Sequence, residues 1–155
     1  MSERLPTRLA HCLESEPVVV ATVLATRGAT PRKPGTRMLV TATATEATIG
    51  GGELEVRVIA AARALLASGS PSAELPITLD GQPGAAGVCG GAMRIALRRW
   101  HGAVDQTRAA TIAAQLRAGS PVTLDASDLG AEGASEVLHP DPRLLIVGVG
   151  HCAAA

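Results

Sequence analysis

The chain contains no phenylalanine and no tyrosine, and Trp100 is its only aromatic residue. Single-stranded nucleic acids are held largely by bases stacked on aromatic faces, so the composition argues against that function. Net charge is also missing: 14 lysines and arginines balance 14 aspartates and glutamates over 155 residues. No global positive field exists to hold DNA or an anionic membrane. No apolar run approaches the roughly 18 residues that a membrane-spanning helix needs. The opening Met1-Ser2-Glu3-Arg4 leads into a helix-like segment and does not read as a signal peptide, so a cytoplasmic chain is expected. Cysteine is scarce: Cys12, Cys89 and Cys152 are odd in number and far apart. They read as reduced thiols, not as a disulfide frame. No CxxC, no zinc-type His/Cys spacing and no HExxH occurs, and no Ser-His-Asp set or carboxylate pair can be assembled.

What is present is aliphatic. Hydrophobic residues make up 46% of the chain, enough for one domain with a finely divided core of Val, Leu, Ile, Ala and Met. Leu5, Leu9 and Leu13 place one apolar stripe on a short helix. Val18 to Leu24 is apolar on both faces and predicts a central strand, with a second strand over 36–41. Residues 53–66 predict the main helix, with Leu54, Val58, Ala61 and Leu65 on its inner face and Gly69 as its stop. Beyond it come strands over 75–79 and 92–99, a second helix over 105–118 and a strand over 121–124. Residues 126–142 read as an acidic, irregular connector.

Three segments do not serve a core. Thr48-Ile49-Gly50-Gly51-Gly52-Glu53-Leu54-Glu55 opens the main helix with three glycines. Unpaired amides at a helix N-terminus favour an anion, although carboxylates at Glu53 and Glu55 already answer the dipole; the alternative is a tight turn where backbone passes backbone. Val88-Cys89-Gly90-Gly91 sets a thiol on chain without crowding side chains, suited to a soft metal or a persulfide, or else simply a small packed residue. Arg27-Gly28-Ala29-Thr30-Pro31-Arg32-Lys33-Pro34-Gly35-Thr36-Arg37 gathers four cations in a loop stiffened by two prolines. Arginine's planar fork suits phosphate and other oxyanions, while a solvated turn accounts equally well for the charges. At the end of the sequence, Leu144 to Val147 followed by Gly148-Val149-Gly150-His151-Cys152-Ala153 has the pattern of a strand entering a dinucleotide-type turn. The helix, second strand and acidic residue that such a site needs are not in the sequence, so the tail is expected to be the start of a Rossmann-like domain that is absent.

Taken in order, Gly28-Ala29-Thr30-Pro31-Arg32, Gly35, Met38-Leu39-Val40, Ile49 to Glu55, Cys89-Gly90-Gly91 and the terminal Gly148-Val149-Gly150-His151 resemble the XdhC/CoxI family. Members are accessory factors for xanthine dehydrogenase, carbon monoxide dehydrogenase and related molybdenum hydroxylases. The resemblance implies a protein that binds molybdenum cofactor (molybdopterin) transiently and hands it to the apo-enzyme, in some cases alongside a cysteine desulfurase. It makes Cys89, Gly90 and Gly91 candidate contacts to the cofactor or its sulfur. Gly50, Gly51 and Gly52 become candidate contacts to the pterin phosphate, and Arg27 and Arg32 candidate oxyanion partners. Two positions depart from the family: Ala29 stands where many members carry serine, and Val88 where many carry a further cysteine, which removes a two-thiol mechanism.

The expected architecture is α+β, a mixed β-sheet with two main helices packed on it. It divides into an XdhC/CoxI-type domain at 1–125, a linker at 126–142, and the first strand and glycine turn of a Rossmann-like domain at 143–155. A cofactor chaperone that turns nothing over is the first functional reading. A sulfur carrier cycling Cys89 through a persulfide and a module that docks the partner or dimerises are the alternatives.

Overall fold

The computed structural model describes residues 4–142. The Gly148 to Ala153 motif therefore lies outside the described residues. In chain order the elements are α1 (Arg4–Cys12), β1 (Val18–Arg27), β2 (Arg37–Val40), β3 (Thr45–Glu46), α2 (Gly52–Ser68), β4 (Ser72–Thr78), β5 (Ala92–Trp100), α3 (Gly102–Arg117), β6 (Val122–Leu124), α4 (Ala126–Leu129) and β7 (Glu136–Leu138). Five strands form one sheet in the order β3-β2-β1-β5-β4, and β6 pairs with β7 in a separate ribbon. The α+β class is as expected. Within it, every described pairing is antiparallel, so the sheet is not mixed. The β1–β2 and β4–β5 connections are loops that reverse the chain between neighbours, which antiparallel pairing permits without a crossover helix.

The run from Val18 to Leu24 becomes the central strand because both its faces are covered. Val19, Ala21 and Val23 face one core with Met38, Val40, Ile95, Leu97 and the inner residues of α2. Val18 and Val20 face a second core with Leu39, Trp100, Leu9, Ile112 and Leu116. Helix α2 thus covers one side of the sheet, while α1, α3 and the β6–β7 ribbon cover the other. Burying each such aliphatic side chain contributes about 1.5–3 kcal/mol, so the two layers together offset the missing aromatics. The helix buries Leu54, Val58, Ala62 and Leu65, with Ala62 where Ala61 was expected, and Gly69 ends it in the left-handed conformation.

The 126–142 segment is more ordered than its composition suggests. Asp125 and Asp128 form a capping box that starts α4: the Asp125 side chain accepts from the amides of Ser127 and Asp128, and the Asp128 side chain accepts from the Asp125 amide. Leu129 and Leu138 are buried in the second core. Arg37 of β2 pairs with Glu136 of β7 at 2.5 Å, tying this segment to the main sheet.

Strand β4 is a sheet edge with a built-in guard. The Pro71 carbonyl accepts from the Arg99 amide and the Leu79 amide donates to Gly91. Odd-numbered residues of β4 therefore face β5, and Pro76 falls on the outward side. No ladder bond is lost there, and the missing N–H blunts the edge against strand addition.

Candidate functional site

Strand directions gather the three glycine-bearing loops at one end of the sheet. Arg27 at the end of β1 pairs with Ala92 at the start of β5, and Thr78 at the end of β4 pairs with the same residue. The 28–36 and 79–91 loops therefore leave the sheet side by side. β3 then carries the chain back toward that end, bringing 47–51 to join them.

Their contact is direct. A side-chain carbon added at Gly28 would meet the Gly90 carbonyl oxygen at 3.0 Å and the Gly91 Cα at 3.1 Å. One added at Gly91 would run into the carbonyl oxygens of Ala29 and, at 2.6 Å, Arg27. One added at Gly50 would meet Pro31 at 2.9 Å and Leu54 at 2.6 Å. The 28–31 segment is thus wedged between Gly90–Gly91 on one side and Gly50 on the other. Arg57 of α2 completes the cluster by donating to the carbonyls of Gly84 (2.7 Å) and Ala85 (3.4 Å), which anchors the 79–91 loop to the helix. Sequence reasoning did not single out Arg57; its pairing with Glu53 one turn earlier was the available signal.

Cys89 is exposed, and Val88 beside it is 86% exposed. The thiol is therefore an accessible group and not a small packed residue. Arg27 and Arg32 are exposed too, and neither guanidinium is bonded to another described residue. Arg32 lines an open groove of about 540 Å³ together with Thr36, Thr48 and Glu136; Cys89 is not part of its wall.

The glycine run is not the bare row of amides that its sequence suggests. The Glu55 carboxylate turns back over it and accepts from the Thr48 hydroxyl (2.5 Å), the Gly51 amide (3.0 Å) and the Ile49 amide (3.2 Å). The Gly50 amide donates to the Thr48 hydroxyl oxygen at 3.3 Å. The chain's own carboxylate fills the place an incoming anion would take. Gly50 and Gly51 are needed for their positive φ values of 147° and 78°, which the turn into α2 requires.

The Thr48 hydroxyl, and after it the three amides, hold the Glu55 carboxyl below its ordinary range, against the opposing effect of burial. A depressed native value means that the contact adds stability above the unfolded value, near 4.5, and loses it as pH falls through the native one. The stability difference between the protein and Glu55→Gln should therefore be full at neutral pH and shrink below about pH 4.5. Denaturant midpoints measured across the acid range check it; a difference that stays constant would show that Glu55 acts through shape alone.

An antiparallel α+β domain with three interlocked glycine loops at one sheet end is the class that fold and site define. Residues 12–77 match the XdhC and CoxI family. The match takes in the 28–35 loop and the glycine run, while Cys89-Gly90-Gly91 lies beyond it. Among solved structures, a xanthine dehydrogenase from Bacillus halodurans has a similar fold, with a TM-score of 0.68 at 22% identity. The similarity covers 79% of this chain and 37% of that one, so this chain corresponds to little more than a third of the other's length. No curated protein matches the chain.

Proposed function

We propose that the chain is an accessory protein of a molybdenum hydroxylase of the xanthine or carbon monoxide dehydrogenase type, and that it binds molybdenum cofactor and passes it to the apo-enzyme. The family match supports the molybdoenzyme association. The observation that carries the finer reading is the interlocking of the motif loops, with Gly28 packed on Gly90–Gly91 and Pro31 on Gly50, beneath an exposed thiol.

The residues present fit the group at two places. Soft sulfur at Cys89 suits molybdenum or its terminal sulfur. The guanidinium groups of Arg27 and Arg32, which have no partner among the described residues, suit the pterin phosphate. Gly90, with φ 85° and open space where a side chain would stand, leaves room beside the thiol. Gly51 and Gly50 fit less well as amide donors, because Glu55 and Thr48 already engage them, and their part in the reading is to shape the loop. On this reading residues 1–125 are the family domain, 143–155 open a Rossmann-like domain, and 126–142 lie between the two while packing on the first through Leu129 and Leu138.

The 155-residue chain, purified from cells that make the cofactor, should carry molybdenum and pterin fluorescence. Cys89→Ser should lower that occupancy several-fold without changing the unfolding midpoint. Absence of both from the unsubstituted protein rejects the proposal. The exposure of Cys89 also favours a second reading, a sulfur carrier that works with a cysteine desulfurase. It expects a labile adduct of one sulfur atom on Cys89 after incubation with desulfurase and cysteine, and intact-mass measurement showing only free thiol excludes it.

A further inference from the structure

We infer that Glu136 is a positioning residue for the cation-bearing 27–35 loop, acting through Arg37; the inference rests on the proposed function for its consequence, though not for its geometry. Arg37 has a side chain only 3% exposed, yet its guanidinium reaches two elements at once. It donates to the Gly35 carbonyl at 3.1 Å, where the loop ends, and to both carboxylate oxygens of Glu136, at 3.3 and 2.5 Å. Glu136 comes from β7, 99 positions further along the chain. Its carboxylate also presses on the loop itself: a side-chain carbon at Gly35 would lie 2.8 Å from Oε1. The left-handed φ of 86° at Gly35 is thus fixed by the chain's own turn and closed in from outside.

From Gly35 the constraint runs along the loop. The Gly35 amide donates to the Val23 carbonyl, and the Val23 amide donates to the Thr36 carbonyl, each at 2.9 Å. Between these anchors and the Gly28–Gly91 contact lies the stretch that carries Arg32. Pro31 and Pro34 limit its freedom, so a shift at Gly35 is passed to Arg32 with little slack. Glu136 also lines both open grooves that flank the loop, the one containing Arg32 and Thr48 and a second of about 410 Å³ containing Arg94 and Ser135. A carboxylate in the wall between two grooves, holding the root of a loop with two uncommitted arginines, is placed to set how well those arginines meet an oxyanion. The segment after β6 is thereby coupled to the site at the sheet end.

Glu136→Gln keeps the shape and removes the charge. Native-state hydrogen exchange should quicken at least tenfold at the Val23 and Gly35 amides, while the amides of α2 keep their protection. The cofactor occupancy of that variant should fall several-fold, and Glu136→Asp should recover part of both effects. The inference is overturned if exchange at Val23 and Gly35 is unchanged, or if it rises only in step with α2, which would mean general destabilisation. If the exchange responds as expected and the unsubstituted protein carries no cofactor, the positioning stands and the proposed function fails.

Discussion

Gly91→Ala should cost about 3 kcal/mol of stability, the upper end of the range for forcing extra volume into a packed site. The new methyl would enter a space already held by the carbonyl oxygens of Arg27 and Ala29. These are backbone atoms of the β1 end and cannot swing aside as a side-chain tip would. For a chain of this size the loss corresponds to a fall of roughly 6–12 °C in Tm. Gly90→Ala should behave differently. Gly90 has positive φ, but nothing lies within 4 Å of where its side chain would stand. Its cost is the positive-φ backbone alone, about 1–2 kcal/mol. Thermal or urea unfolding of the two variants separates a glycine required by packing from one required by conformation. Equal losses at both would contradict the close approach of the 28–29 and 90–91 segments.

Asp128→Ala should be comparably damaging, at about 3 kcal/mol, because it removes charge-assisted hydrogen bonds worth about 1.5–3 kcal/mol together with a helix cap worth about 1 kcal/mol. The Asp128 side chain is 5% exposed, and it accepts from the Arg108 Nε at 3.0 Å and from an Arg108 terminal nitrogen at 2.5 Å. It also accepts from the Asp125 amide at 3.3 Å, as half of the box that begins α4. Truncation therefore leaves Arg108 without its carboxylate and unpicks a helix start at the same time. Replacing both Arg108 and Asp128 should cost less than the sum of the two single losses, because the ion pair they share is lost only once. A double-mutant cycle read by urea denaturation tests this, and additive costs would show that the two side chains act independently.

The elements that the sequence announces clearly are those in which one pattern dominates. The both-faced aliphatic run at 18–24 makes the central strand, and the Leu54–Val58–Leu65 spacing with Gly69 behind it makes α2. The second helix begins at Gly102, three positions before the expected Asp105; Ala103 and Val104 of its first turn are exposed and stand apart from the buried stripe of Ala109, Ile112, Ala113 and Leu116. β3 is two residues long and has no pattern to read. α4 and β7 were hidden by the charge and glycine content of 126–142, although Asp125 and Asp128 at capping-box spacing were a usable sign. The motif loops were legible as motifs, while their arrangement was not. Neither the wedge of Gly28 against Gly91 nor the closing of the glycine run by Glu55 can be seen without strand register and the path of the chain after β3.

The single indole at Trp100 belongs to only one of the two layers. It is 3% exposed in the core that α1 and α3 cover, with the Arg98 guanidinium 4.5 Å above its ring. Its emission consequently reports the melting of that layer alone and is silent about the packing of α2 on the opposite side. Far-ultraviolet dichroism sees both. Coincident curves from the two signals would mean that the halves of the molecule dissolve together, whereas an early fluorescence change would identify the side bearing α1 and α3 as the weaker one.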